Sequence, residues 1–334
     1  MPEGDTISRA ATALRAALLG KPTTSFEARR HTGIVPVTGA MIERVESFGK
    51  HLEIGWDDGV VLHTHMRMTG SWHLYRPGER WRKSARQMRA FIEVPGWQAI
   101  CFSAPVLETY RAREFSAHPG LGSLGPDLTK LDVDVDDCVD RMARHCDVTT
   151  TVAEALLDQR VACGVGNVYK SEVLWACEVH PLTLVAGLAD EQRHNLIVTA
   201  ARLLQINTAQ VDRITMPGVP GGLAVYGRLG KPCLRCNAPI EVDRHGEQAR
   251  VTYWCPQCQL LLSPPELSVA PGASLPKGWW KRDPDVAPAN ASDQGDEAMR
   301  VMDPHPAARL FLAGRERNLE PLEIDPLFGH HSVG

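Results

Sequence analysis

Residues 159–167 read Gln159-Arg160-Val161-Ala162-Cys163-Gly164-Val165-Gly166-Asn167, and this stretch decides the fold of the middle of the chain. Upstream, Thr150 or Thr151 caps a helical segment ending at Leu157 and Asp158. Downstream, Asn167 opens a second helix whose Tyr169, Val173, Ala176 and Cys177 form one stripe. Two helices joined by a Gly-x-Gly-Asn turn expose backbone N–H groups at a helix N-terminus, an anion site suited to a phosphate of a DNA backbone. Gly164 and Gly166 alone are a weak phosphate signal, because no strand of the dinucleotide-binding kind precedes them.

Toward the C-terminus, Cys233-x2-Cys236 and Cys255-x2-Cys258 place four thiols as two knuckles separated by eighteen residues, the ligand set of a tetrahedral structural Zn2+. Between them, Pro239–Val242 and Val251–Trp254 read as the strands of a hairpin with residues 243–249 as its tip. Arg250 sits where the tip rejoins the second strand, on a rigid platform able to aim it at a phosphate or into a groove. Catalysis at the metal is the poorer reading, because four protein ligands leave no open position.

Toward the N-terminus, Thr6–Leu19 has Ile7, Ala11, Leu14 and Leu18 at helical spacing, Asp5 or Thr6 as cap and Gly20 as stop. Short strands follow over Ser25–Arg29, Ile42–Phe48, His51–Trp56, Val60–His65, Ser71–Tyr75, Arg89–Val94 and Gln98–Phe102, with Asp57-Asp58-Gly59 and Pro95-Gly96 as turns. The pattern predicts a β-sandwich with one terminal helix. Two readings stay open for Lys50, which reaches a phosphate or sugar from a strand junction or is simply solvated. Two are open for the loop of Met66, Arg67, Met68 and Thr69: a wedge into a base stack, or methionines filling a core. The first residues offer a third site. With Met1 removed, Pro2 is a terminal secondary amine able to condense with an aldehyde carbon beside the Glu3 carboxyl; the alternative is a frayed terminus.

A length of 334 residues and 43% hydrophobic content predict two or more domains with real cores. Glycine and proline cluster at 119–126, and the sequence divides into 1–125, 126–225, 226–262 and a tail, 263–334, whose composition predicts disorder. The net charge of −4 conceals an uneven distribution. Residues 1–120 carry 16 Lys+Arg against 12 Asp+Glu, and the tail carries 7 against 11. Arg76, Arg80, Arg82, Lys83, Arg86 and Arg89 surround Trp81 as a phosphate-binding surface or a solvated basic loop. No run suits a membrane span or a signal peptide, and an odd set of scattered cysteines suits a reducing compartment. The expectation is a cytoplasmic, nucleoid-associated monomer. In the tail, Lys277-Gly278-Trp279-Trp280-Lys281-Arg282 and Ala307–Leu312 are candidate contacts for single-stranded nucleic acid or a protein partner, or segments that pack back on the enzyme.

Pro2-Glu3-Gly4, the 159–167 turn with Glu172 and His180-Pro181 after it, and Thr252-Tyr253-Trp254-Cys255-Pro256-Gln257-Cys258-Gln259 together resemble the formamidopyrimidine-DNA glycosylase and endonuclease VIII family over residues 2 to about 262. The resemblance implies an α+β multidomain protein: an N-terminal β-sandwich, a helix-two-turn-helix domain and a β-hairpin zinc finger. It implies a bifunctional DNA glycosylase/AP lyase of base excision repair acting on double-stranded DNA with damaged bases or abasic sites. Pro2 is then the Schiff-base nucleophile, Glu3 the general acid, Lys50 a catalytic and phosphate-contacting lysine, and Asn167 and Arg250 phosphate binders. Met68 falls at the void-filling position with Arg67 and Thr69 alongside. Asp5 and Thr6 depart from the Pro and Glu of common members. The short segment Tyr110–Gly120 favours the endonuclease VIII branch and oxidised pyrimidines. The alternatives are an 8-oxoguanine/formamidopyrimidine-type glycosylase and a non-catalytic zinc-containing DNA-damage binder.

Overall fold

The computed structural model describes residues 2–31, 33–113, 121–245 and 249–261. The expectations for residues 114–120, for the hairpin tip at 246–248 and for the tail islands lie outside them.

Helix α1 runs Gly4–Leu18, two residues earlier than the periodicity predicts. Glu3 occupies the N-cap position, and Asp5 lies inside the first turn with its carboxylate engaged elsewhere. Ile7, Ala11, Leu14 and Leu18 are all buried, so the stripe is real. It closes a sandwich of two four-stranded antiparallel sheets. One has the order β1-β6-β7-β5, from Ser25–Ala28, Met88–Val94, Trp97–Phe102 and Ser71–Tyr75. The other has the order β2-β3-β4-β8, from Ile42–Phe48, His51–Trp56, Val60–His65 and Val106–Arg111. Leu14 and Leu18 of the helix join Ile42, Leu52, Ile54, Leu62, Ile92 and Ala99 in one core. Each such fully buried aliphatic side chain contributes about 1.5–3 kcal/mol. Strand β8 is the element that sequence periodicity did not reveal.

The middle of the chain is helical: α2 Val135–His145, α3 Val152–Ala155, α4 Asn167–Ala176 and α5 Asp190–Thr208. Thr151 caps α3 in a reciprocal capping box with Glu154, although the helix is a single turn. Helix α4 packs on α5 and on the C-terminal hairpin, and nine of its ten residues are buried. The hairpin pairs β9 Glu241–His245 with β10 Arg250–Trp254, so its first strand begins two residues later than predicted. Among the described residues no helix is long and apolar enough to cross a membrane.

Candidate active site and nucleic-acid interface

Glu3 is 1% exposed and belongs to two elements at once. Its backbone caps α1, while its carboxylate accepts hydrogen bonds from the backbone N–H groups of Gly166 at 2.9 Å, Val168 at 2.9 Å and Tyr169 at 3.2 Å. These are the unpaired donors of the first turn of α4, where a negative group is favoured by the free N–H groups and the helix dipole. The sequence permits so close an approach by omitting side chains. A Cβ on Gly166 would lie 2.4 Å from the Glu3 carboxyl carbon, and one on Gly4 would lie 2.9 Å from the Gly164 Cα. Gly4 N–H donates to the Gly164 carbonyl at 2.9 Å, which pins half-buried Pro2 beside the turn. The anion site that the turn predicted is thus occupied, in part, by the protein's own Glu3.

The β2–β3 hairpin brings Lys50 to the same place. Gly49 adopts φ 54°, and a Cβ there would lie 2.7 Å from the Cys163 side chain, so only glycine lets the hairpin tip press against the turn. Burial lowers the Lys50 pKa from its ordinary value; Glu3 opposes the shift and Arg250 adds to it. Lys170 of α4, which sequence reasoning overlooked, is 1% exposed and donates from Nζ to the Val251 carbonyl of β10 at 3.0 Å. Burial brings its pKa down to about 7, with Glu3 raising it and Arg250 and Lys50 lowering it further. Arg250 opens β10 on an exposed edge. Asn167 is 8% exposed and its Oδ1 has no hydrogen-bond partner among the described residues, as expected of a side chain kept for a ligand. Pro2, Glu3, Lys50, Asn167 and Arg250 therefore converge on the N-terminus of α4 from four parts of the chain.

Asp5 is wholly buried, and its carboxylate receives Arg213 Nε at 3.0 Å, with Arg9 Nη1 at 3.3 Å. The Arg213 guanidinium also reaches Thr6 Oγ1 at 3.3 Å and lies 4.8 Å over the Tyr169 ring. The two positions at which this sequence departs from the common family pattern thus share one partner, 208 residues away from Asp5. The carboxylate of Glu172, 1% exposed, accepts from Ala224, Val225 and Tyr226 N–H at 2.8–2.9 Å and from the Thr215 hydroxyl. It fastens the strand-like linker at 222–226 to α4. The Met66 to Thr69 loop splits: Met66 is core at 2% exposed, whereas Met68 stands 70% exposed beside Arg67, whose φ is 44°. The loop meets the cleft through His65, whose Nδ1 accepts the Arg67 N–H at 3.1 Å.

The four cysteines come together as their spacing predicts. Their sulfurs all lie within 4.8 Å of one another, with Cys236 and Cys255 at 3.4 Å and Cys233 and Cys258 at 3.9 Å. N–H groups already point at them, from Arg235 and the Trp175 indole to Cys233 and from Cys258 to Cys255, each at 3.4 Å. Burial opposes ionisation of Cys233, but those donors outweigh it and bring it down to about 7. Burial pushes Cys255 up to about 11. Four convergent thiols with N–H donors behind them fit a metal ion as thiolate ligands. Behind the cluster, Gln259 accepts Cys255 N–H and donates to the Val179 carbonyl, both at 2.8 Å, and His180 packs on Trp254. That contact explains why His180 and Gln259 belong to the recognisable pattern.

The N-terminal domain model of formamidopyrimidine-DNA glycosylase matches residues 1–105, and the H2TH domain model of that enzyme matches residues 124–216. A protein named probable endonuclease 8 2 from Streptomyces coelicolor is 38% identical over 265 residues, covering 78% of this chain and 94% of the relative. The chain belongs to the formamidopyrimidine-DNA glycosylase and endonuclease VIII family. That family consists of DNA glycosylase/AP lyases. A further relative, named DNA-(apurinic or apyrimidinic site) lyase Nei2, from Mycolicibacterium smegmatis, is 38% identical over 263 residues, 78% of this chain and 99% of the relative. Among solved structures, Lactococcus lactis formamidopyrimidine-DNA glycosylase bound non-covalently to DNA containing an abasic site shares the fold. Its TM-score is 0.65 at 24% identity, covering 78% of this chain and all of that one. The sandwich, the H2TH helices and the four-cysteine hairpin of this family member are the parts the sequence predicted. The Arg213 and Lys170 networks are the parts it did not.

Proposed function

We propose that this chain is a bifunctional DNA glycosylase/AP lyase that removes oxidised bases, pyrimidines foremost, and nicks the strand through a Schiff base on Pro2. The observation that carries the reading is the Glu3 carboxylate seated on three N–H groups of the α4 turn, which holds the adjoining Pro2 among Lys50, Asn167 and Arg250. With Met1 removed and a damaged nucleotide extruded from the stack, the Pro2 nitrogen attacks C1′ and the base leaves. Glu3 transfers a proton as the sugar ring opens. The resulting iminium acidifies C2′; loss of that proton and cleavage of the C3′–O bond cut the strand. Lys50, Asn167 and Arg250 hold flanking phosphates, and Met68 with Arg67 fills the space the extruded nucleotide vacates.

The four cysteines hold zinc, the ion whose tetrahedral preference this thiolate set suits, in a structural role. Partition into a sandwich at 1–125, a helical domain at 126–225 and a finger at 226–262 follows the positions of these networks. A cytoplasmic, nucleoid-associated monomer fits the reaction. The names of the curated relatives support the endonuclease VIII branch.

Borohydride trapping tests the reading, using duplexes that carry an oxidised pyrimidine, 8-oxoguanine or an abasic site and protein verified by mass spectrometry to lack Met1. A covalent adduct on the abasic site and on the oxidised pyrimidine is expected. Preference for 8-oxoguanine would move the chain to the formamidopyrimidine branch. Absence of adduct on all three would leave the non-catalytic damage binder.

A further inference from the structure

The outer face of the sheet β2-β3-β4-β8 carries a row of ionisable groups leading to the active site. His51 stands opposite His65, Glu53 opposite His63, and His63 opposite Glu108, so all five side chains project from the same face. Glu108 Oε1 lies 2.8 Å from His63 Nδ1, and His63 Nε2 lies 2.8 Å from His51 Nδ1. The His63 side chain is 2% exposed and that of Glu108 31%. The row therefore runs from a carboxylate at the solvent, through a buried imidazole, to the residue that follows Lys50. At its inner end the His51 ring meets the His65 ring edge-on at 4.6 Å. Burial first, and then the charge of Lys50, brings His65 down to about 4.

The hydrogen bonds fix the tautomers. A carboxylate on Nδ1 makes that atom of His63 the donor, so in a neutral ring Nε2 accepts, and His51 Nδ1 must donate to it. His51 Nε2 is then left with a lone pair at the cleft end of the row. The other charged or titratable groups about the row are few. Glu53 accepts the Tyr110 hydroxyl and pairs with Arg44, which also pairs with Glu46. Lys50, His65 and Arg67 stand at the cleft end, and Asp127 and Cys163 lie on the segments packed against the hairpin tip.

We propose that Glu108, His63 and His51 form a proton relay for the elimination step. This inference rests on the Schiff-base reading above. DNA seated over the cleft shields Lys50 and the sugar from water, yet the C2′ proton must leave when the C3′–O bond breaks. A proton reaching His51 Nε2 releases the Nδ1 proton to His63 Nε2, and the His63 Nδ1 proton passes to Glu108. The row changes from net −1 to neutral, so uptake creates no new buried charge. Glu108 returns the proton to water and the two rings revert to their resting tautomers. His63 and Glu108 are positioning residues, acting on the reaction only through His51.

The test is single-turnover kinetics on an abasic-site duplex across pH 5.5–9 for the full-length wild type, His63→Phe and Glu108→Gln, with imine formation read by borohydride trapping and elimination read by strand cleavage. Trapping rates within about twofold of wild type are expected. Cleavage should fall by at least about tenfold, the low end of what positioned proton transfer contributes, and the pH dependence of cleavage should flatten. Equal loss of trapping and cleavage in both variants would mean a structural defect and overturn the relay. So would cleavage rates and pH profiles matching wild type. Glu108→Gln changes only the partly exposed end, so it keeps the test valid where His63→Phe does not fold. Failure of the wild type itself to trap would remove the Schiff-base reading, a result distinct from a wild type that traps and variants that cleave normally.

Discussion

At the scale of single residues, the site is built by leaving atoms out. Gly166→Ala puts a methyl group 2.4 Å from the Glu3 carboxyl carbon, and neither backbone can retreat without breaking the hydrogen bonds that join them. The expected cost is about 1–3 kcal/mol, as for an overpacked core, with loss of the borohydride adduct. Calorimetry and trapping on an abasic site check it; an unchanged melting temperature with full trapping would show that Glu3 is not seated on α4. Lys170 gives a pH signature. Its folded pKa, about 7, lies below the ordinary lysine value, so the unfolded chain binds the extra proton between the two. Stability from this group is therefore fully present above the unfolded pKa and is lost as pH falls through about 7. The melting temperature of wild type minus that of Lys170→Met should rise between pH 6 and pH 9. A difference that stays flat would mean that Lys170 is not buried as a cation.

At the scale of elements, the C-terminal hairpin derives its order from the four sulfurs and from α4. Removing the metal with a chelator, or replacing Cys255 with Ser, should leave the far-ultraviolet signal of the sandwich and helices intact. Affinity for abasic-site DNA should drop by at least about tenfold, because Arg250 loses its platform. Equal binding before and after chelation, by fluorescence anisotropy, would contradict a structural role for the ion. What the sequence disclosed follows from the same physics. Strands β2 to β7 were legible because apolar residues alternate between turns with fixed glycine chemistry. Strand β8 was not, since VLETYR buries only three of six residues, two of them adjacent, and continues into basic residues. Helix α2 hid in an acidic run because only Cys138 and Met142 of its eleven residues are buried. In α4, burial on every side removes the 3.6-residue rhythm, and only the flanking glycines marked it.

At the scale of the whole molecule, the sandwich and the helical domain are riveted through Asp5. Arg213 pairs with it, and Arg9, from α1, donates to the Asn207 carbonyl at the end of α5. Arg213→Met leaves a buried carboxylate with only Arg9 nearby and should cost about 3–5 kcal/mol. Asp5→Asn in the same chain should restore part of that, an outcome a denaturant titration of the double mutant would read directly. Additive losses would show that the two side chains are not coupled. Neither this pair nor the His51–His63–Glu108 row was visible in the sequence. The first joins residues 208 positions apart, and the second needs the strand register before its members become neighbours. Motif residues such as Glu3 and the cysteines were visible because their spacing carries their chemistry.

The ten-residue helix α4 receives Glu3 at its first turn, grips the linker through Glu172 and holds the hairpin through Lys170. Residue 2 is among the first to leave the ribosome, whereas the groups that orient it are made more than 160 residues later and the hairpin later still. An interrupted copy therefore possesses the amine without its setting. Abortive synthesis yields an inert polypeptide, and strand-cutting capacity is switched on only by completion of the chain through the hairpin.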